Sequence, residues 1–158
     1  MSEEGLTSDE QHTWRTFLRS HATVTRRLEA ELVAEHDLPL ASYDVLVQLS
    51  EAPERRLRMT ELADRVLLSR SGLTRLADRL ERDGLLTREA CPSDARGTLA
   101  VLTDDGLTRL EKAWPSHRRS VEQHFAGHFT AQEIRLLGDL LDKLVPHAVA
   151  EVASGGRR

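Results

Sequence analysis

The apolar spacing of this chain changes period at Gly84, and that change limits the folds open to it. Up to Gly84, apolar residues recur at steps of three and four, as on helices packed along one side. Beyond it, Leu85 to Cys91 and Thr98 to Leu102 are short stretches of strand-forming residues. They flank Pro92-Ser93-Asp94-Ala95-Arg96-Gly97, a set with turn chemistry, so the spacing predicts a β-hairpin. Helical spacing then resumes, and the fold class expected is mainly α with one small hairpin.

The helices preceding the hairpin give it a context. From Ser8 to Glu35, Trp14, Phe17, Leu18, His21, Val24, Leu28 and Leu32 make one stripe of a long helix, with Ser8 as its expected N-cap. Asp37-Leu38-Pro39 breaks it, since proline disfavours helix in the residue before it. A second helix is expected over 40–50 with Tyr43, Leu46, Val47 and Leu49 inward, and Arg55 to Arg58 reads as a basic connector. A short helix over 60–67 follows, and Ser69 caps another whose Leu73, Leu76, Ala77 and Leu80 form a buried face ending at Gly84. Two compact helices joined by a tight turn make a helix-turn-helix, and the hairpin directly after it is a wing.

After the hairpin, Thr103 with Asp104 and Asp105 starts a helix carrying Leu107, Leu110, Trp114, Val121 and Phe125, which Pro115 is expected to bend. Thr130 to Glu133 is a capping box for a last helix with Ile134, Leu137, Leu140, Leu141, Leu144, Ala148 and Val152. The expected organisation is a dimerisation helix (1–36), a winged helix-turn-helix (37–103), two further dimerisation helices (104–153) and a flexible tail (154–158). The broad apolar stripes at the two chain ends suit a two-fold homodimer.

Charge points to the partner. The chain of 158 residues has a formal charge of −4, yet between Arg55 and Arg96 ten arginines face seven acids, giving +3 there and −7 elsewhere. A local cationic field of this kind suits nucleic acid despite the acidic total. One cysteine, Cys91, cannot form an internal disulfide, the longest apolar runs are a few residues, and the N-terminus is acidic where a secretory signal would be basic. These features predict a soluble cytoplasmic protein without a membrane partner. There is no Gly-rich phosphate loop, G-x-S-x-G or H-E-x-x-H, so an enzyme is not expected, and no cofactor is.

With Leu73, Leu76 and Leu80 inward, the helix after Ser69 presents Arg70, Ser71, Thr74, Arg75, Asp78 and Arg82 on its opposite face. Arg75 suits bidentate pairing with guanine, Ser71 and Thr74 suit base edges or a thymine methyl, and Ser69 with the free amides of the first turn suits a phosphate. The bland reading of that face is a solvated polar surface. The second function class is a dimeric winged-helix module that binds protein and has lost DNA recognition, against which Arg70, Thr74, Arg75 and Arg96 argue.

The ordered set from Leu40-Ala41-Ser42-Tyr43-Asp44-Val45-Leu46 through Met59-Thr60-Glu61-Leu62-Ala63, Leu68 to Leu76, Asp78 to Glu81, Gly84-Leu85-Leu86 and Asp94-Ala95-Arg96-Gly97 to Leu102-Thr103-Asp104-Asp105-Gly106 resembles the MarR family of bacterial winged-helix regulators. Pro39 departs from it, standing where the family often has a Ser or Thr cap. The resemblance implies a transcriptional repressor whose two reading helices enter successive major grooves of a pseudo-palindrome about 34 Å apart. It implies that Arg96 enters the minor groove with Asp94 holding its guanidinium, and that a small aromatic or anionic effector binds between the dimer helices and the winged domain. Trp14, His21 and Asp44 are the candidate effector contacts, with ordinary interface residues as the alternative reading of Trp14 and His21.

A urate-responsive branch uses a Trp of the first helix, an acid of the second and an Arg of the reading helix. Trp14 and Asp44 match the first two, but the third place falls on Leu76, and Arg75 lies about 100° round the helix. That argues against urate. His117, His124 and His128 share one expected helical face without a cysteine or well-placed acid, so no metal is expected. The family's peroxide-sensing thiol lies in the first helix, which leaves Cys91 an inert thiol.

Overall fold

The computed structural model describes residues 5–66 and 68–144. The outer part of the last expected helix, with Ala148 and Val152, and the 154–158 tail lie outside the described residues, as does Leu67. Among the described residues nine α-helices and β-strands follow one another: α1 (Ser8–His36), α2 (Leu40–Glu51), β1 (Arg56–Arg58), α3 (Met59–Arg65), α4 (Arg70–Arg82), β2 (Leu86–Cys91), β3 (Asp94–Leu102), α5 (Asp104–His124) and α6 (Ala131–Asp142). The fold is mainly helical with a small antiparallel sheet. No described helix is long and apolar enough to cross a membrane.

Local chemistry sets the element ends, in places one residue from the expected position. Thr7, not Ser8, caps α1, because Glu10 reaches back to the Thr7 N–H at 2.7 Å while the Thr7 hydroxyl accepts from Glu10 N–H. The side chain three residues beyond Ser8 is Gln11, which instead donates to the Leu6 carbonyl. α2 starts at Leu40 with Pro39 as a cap that offers no side-chain bond, and Glu29 of α1 accepts from the Leu40 N–H instead. Ser69 and Thr103 cap α4 and α5, accepting from the amides of Gly72 and Gly106, and Thr130 with Glu133 forms the expected capping box of α6. Gly84, at φ +73°, turns the chain from α4 into β2.

Two sheet features differ from expectation. Arg56–Arg58 is a strand, not a connector: Arg56, Leu57 and Arg58 pair with Val101, Ala100 and Leu99, giving the strand order β1-β3-β2. Three residues with a single buried Leu57 are too few to display a period of two. The turn is also shorter than expected, since Cys91 already pairs with Asp94 past an irregularity at Ala90/Cys91. Asp94, Arg96 and Gly97 therefore lie on β3, leaving Pro92-Ser93 as the tip.

The core gathers Leu46, Leu49, Leu62, Leu73, Leu86 and Ala100 from α2, α3, α4 and the sheet. Val45 and Ser42 are buried in α2 beyond the expected stripe, because α2 is packed by α1, α3, α5 and the sheet. In α1 only Leu28 and Leu32 are buried, in α5 Gly106, Leu110, Ala113 and Ser120, and in the described part of α6 nothing. α5 remains helical through Pro115. Ser120 of α5 donates to Glu31 of α1, while Trp14 and Trp114, expected on inward stripes, stay over half exposed at 54% and 53%.

Candidate nucleic-acid interface

α4 is amphipathic enough to fix its own orientation. Leu73, Leu76, Ala77 and Leu80 are buried, which turns Arg70, Ser71, Thr74, Arg75 and Arg82 outward, all exposed. Ser69 Oγ accepts from Gly72 N–H at 3.1 Å and lies 3.3 Å from Ser71 Oγ. Thr74 donates its hydroxyl to the Arg70 carbonyl, so its methyl is the freer contact. Arg79, which sequence reasoning did not put on this face, is exposed as well. Among the described residues Arg70, Arg75, Arg79, Arg82 and Arg96 form no ion pair, whereas Arg55, Arg56, Arg58, Arg65 and Arg88 do.

Asp78 belongs to the outward face, but its charge is tied down. Arg88 of β2 meets Asp78 Oδ1 at 2.7 Å and Glu81 Oε2 at 2.6 Å, and its backbone N–H donates to Glu81 Oε1. The Arg88 hydrogen bonds hold the Glu81 carboxyl below the usual range and raise Arg88 in turn. One guanidinium thereby offsets one of the two negative charges that would repel phosphate, and α4 is tied to β2 of the wing. No sequence spacing announced this clamp, because its members sit seven and ten residues apart across a turn.

At the wing the expected pairing is rearranged. The Asp94 carboxylate accepts from the Arg96 backbone N–H at 3.0 Å and faces Arg58 Nη1 at 3.5 Å, so among the described residues it holds the Arg96 main chain and not its guanidinium. Arg58 also donates to Ser93 at the tip. β1 brings Arg58 within reach by pairing with β3, which is why the connector reading concealed this tether. Cys91 is buried, its Sγ 3.3 Å from Ser93 Oγ.

An open cavity of about 980 Å³ lies between α1, α2 and α5. His21 and Asp44 line it, and Trp14 does not; Trp114 lies there instead. Burial raises the Asp44 carboxyl above its usual range, with Gln48 opposing and Glu51 reinforcing the shift. The three expected histidines part company. His124 meets Glu31 at 2.5 Å, His117 packs on Tyr43, and His128 falls in a separate turn because α5 stops at His124. No group of three or more potential metal ligands gathers among the described residues.

A reading helix capped by serine, bare arginines along its outer face and an adjoining three-stranded wing define the winged helix-turn-helix class. Residues 36–97 match the MarR family model. A MarR family transcriptional regulator of Streptomyces coelicolor solved in complex with DNA is 36% identical, superposes with a TM-score of 0.85, and the match covers 90% of this chain and 89% of that one. AbsC, a MarR family regulator of the same organism, is 37% identical with a TM-score of 0.83 over 89% of this chain and 95% of its own. The HTH-type transcriptional repressor YetL of Bacillus subtilis (strain 168) is 31% identical across 70% of this chain and 68% of its own length. The chain belongs to the MarR family of transcriptional regulators.

Proposed function

We propose that the protein binds a pseudo-palindromic operator as a two-fold homodimer and represses transcription until a small effector occupies the cavity between α1, α2 and α5. The observation that carries this reading is the row of arginines on the outer face of α4 that form no ion pair among the described residues. Cations left without protein partners are available to phosphates and base edges. In this reading Ser69 and Arg70 hold phosphate, Ser71, Thr74 and Arg75 meet base edges, Arg82 extends the phosphate track, and Arg96 enters the minor groove from a wing braced by Asp94. The complex of the Streptomyces regulator with DNA supports the operator, and the name of YetL supports the repressor.

Residues 1–36 and 104–153 act as the dimerisation region around a 37–103 DNA-binding unit. Exposed Trp14, Trp114, Leu136 and Leu144 support this, because an apolar face of that kind is ordinarily covered by a partner. His21 and Asp44 remain the proposed effector contacts, whereas Trp14 fits the subunit interface better than the cavity. Repression places the protein in the cytoplasm with the chromosome.

Selection of bound genomic fragments, followed by titration of the enriched sequence and a scrambled duplex over a range of salt, tests the reading. The expected result is a preference for the enriched duplex, with log affinity falling linearly in log salt. Equal affinity for both duplexes at every salt concentration would overturn it.

A further inference from the structure

α1 ends in a turn that its own residues close at a cost. Asp37 takes the left-handed conformation at φ +48°, which a residue with a side chain adopts under strain, and Leu38 is buried just beyond it. The last carbonyls of a helix have no partner within it and carry its negative end. Arg109 of α5 supplies what they lack. Its Nη2 donates to the His36 carbonyl and, at 3.3 Å, to that of Asp37. The guanidinium meets no carboxylate among the described residues, and its Nε is buried there without a partner. A buried donor left bare is unfavourable, so the side chain is held for these two carbonyls and not for the comfort of its own charge.

Two more contacts hold the same corner. His36 meets the Ser116 hydroxyl of α5, and the Glu29 carboxylate of α1 accepts from the Leu40 N–H that opens α2. Only residues 37–39 separate α1 from α2, and Pro39 is one of them. The direction in which α2 leaves this corner carries α4 with it, because Leu46 and Leu49 of α2 share one core with Leu62 of α3 and Leu73, Leu76 and Leu80 of α4. In a two-fold dimer any change of that direction appears on both sides of the axis. One base pair of half-site spacing is about 3.4 Å along the duplex, so a small tilt at the corner becomes a different operator length.

We propose that Arg109 is a positioning residue for operator recognition: by clamping the His36 and Asp37 carbonyls it fixes the winged unit against the dimerisation helices and so sets the half-site spacing that the dimer accepts. The proposal rests on the reading of the protein as a homodimer on a two-half-site operator, and names what holds the two halves in register. Its partners lie 73 and 72 residues earlier in the chain, beyond any local spacing.

Titration of the full-length protein against the enriched operator, against versions with the half-sites moved by one and by two base pairs in either direction, and against a single half-site tests it. The unaltered protein is expected to bind the natural spacing about tenfold or more tightly than spacings changed by two base pairs. Arg109→Met keeps the aliphatic stem and removes the donors. It is expected to shrink that ratio to about threefold or less while leaving single half-site affinity unchanged, and Arg109→Lys, whose ammonium still reaches a carbonyl, is expected to restore most of it. Thermal melting shows whether the variants fold, and Arg109→Gln replaces the methionine variant if that one does not. An unchanged spacing ratio in the folded variant, or an equal fall for every duplex including the single half-site, would overturn the proposal and leave the two-half-site reading standing. An unaltered protein that binds every spacing and the single half-site alike refutes that reading and the proposal together.

Discussion

Arg75 and Arg96 carry the same charge and no ion-pair partner among the described residues, yet they sit in different settings and have different expected roles. Arg75 stands on a helix whose buried leucines fix its direction, so its loss should cost about 1–3 kcal/mol at a guanine position and relax base preference there. Arg96 stands on β3, where Asp94 holds its main chain. Arg96→Ala should weaken binding to every sequence alike and reduce the salt slope by about one unit. Anisotropy titrations of both variants against matched and substituted duplexes distinguish these outcomes. Gly106 makes a different kind of prediction. A Cβ there would fall 2.0 Å from the Leu85 carbonyl oxygen and 2.7 Å from Leu102 Cδ1, so Gly106→Ala must push α5 away from the start of β2. A loss of about 2 kcal/mol is expected, read as a lower denaturant midpoint.

Between elements, the Arg88 clamp joins α4 to the wing, and its effect on stability depends on pH. Glu81 is held below its ordinary value of 4.5 in the folded state. Its contribution is therefore complete above about pH 4.5 and lost as pH falls through the lower folded value. Arg88→Ala should flatten that acid limb, so that melting curves of variant and parent converge at low pH and separate above it. Parallel curves across the range would contradict the assignment. The clamp also illustrates what periodicity conceals. The leucine stripe of α4, the breaks at Pro39 and Gly84 and the capping box at Thr130 were legible because each rests on neighbours within four residues. β1, the Arg58–Asp94 tether and the Arg88 contacts depend on residues seven or more positions apart, beyond the reach of one helix's spacing. Arg55 to Arg58 read as a connector because three residues cannot display alternation.

At the level of the whole molecule, the exposed apolar faces of α1, α5 and α6 are the proposed dimer contact. Leu136, on α6, is 57% exposed within one chain. Leu136→Glu should shift the protein toward monomer in sedimentation and reduce operator affinity, because two half-sites are then read independently. A dimer that survives the change with full affinity would place the interface elsewhere. The stripes predicted these helices and suited a homodimer, but they did not say which residues would stay uncovered: Trp14 and Trp114 look the same in sequence as core residues that end up covered. By itself the sequence determined the order of helices and hairpin, the cationic centre and the direction of the reading face, since all three follow from local spacing and local charge. Only the tertiary structure decided which arginines are bound internally and which remain bare. It also decided which apolar residues stay uncovered, and that Tyr43 and His117 would pack together. Tyr43 and His117 lie 74 residues apart and Arg58 and Asp94 36, and the free energy of such meetings belongs to the packed whole.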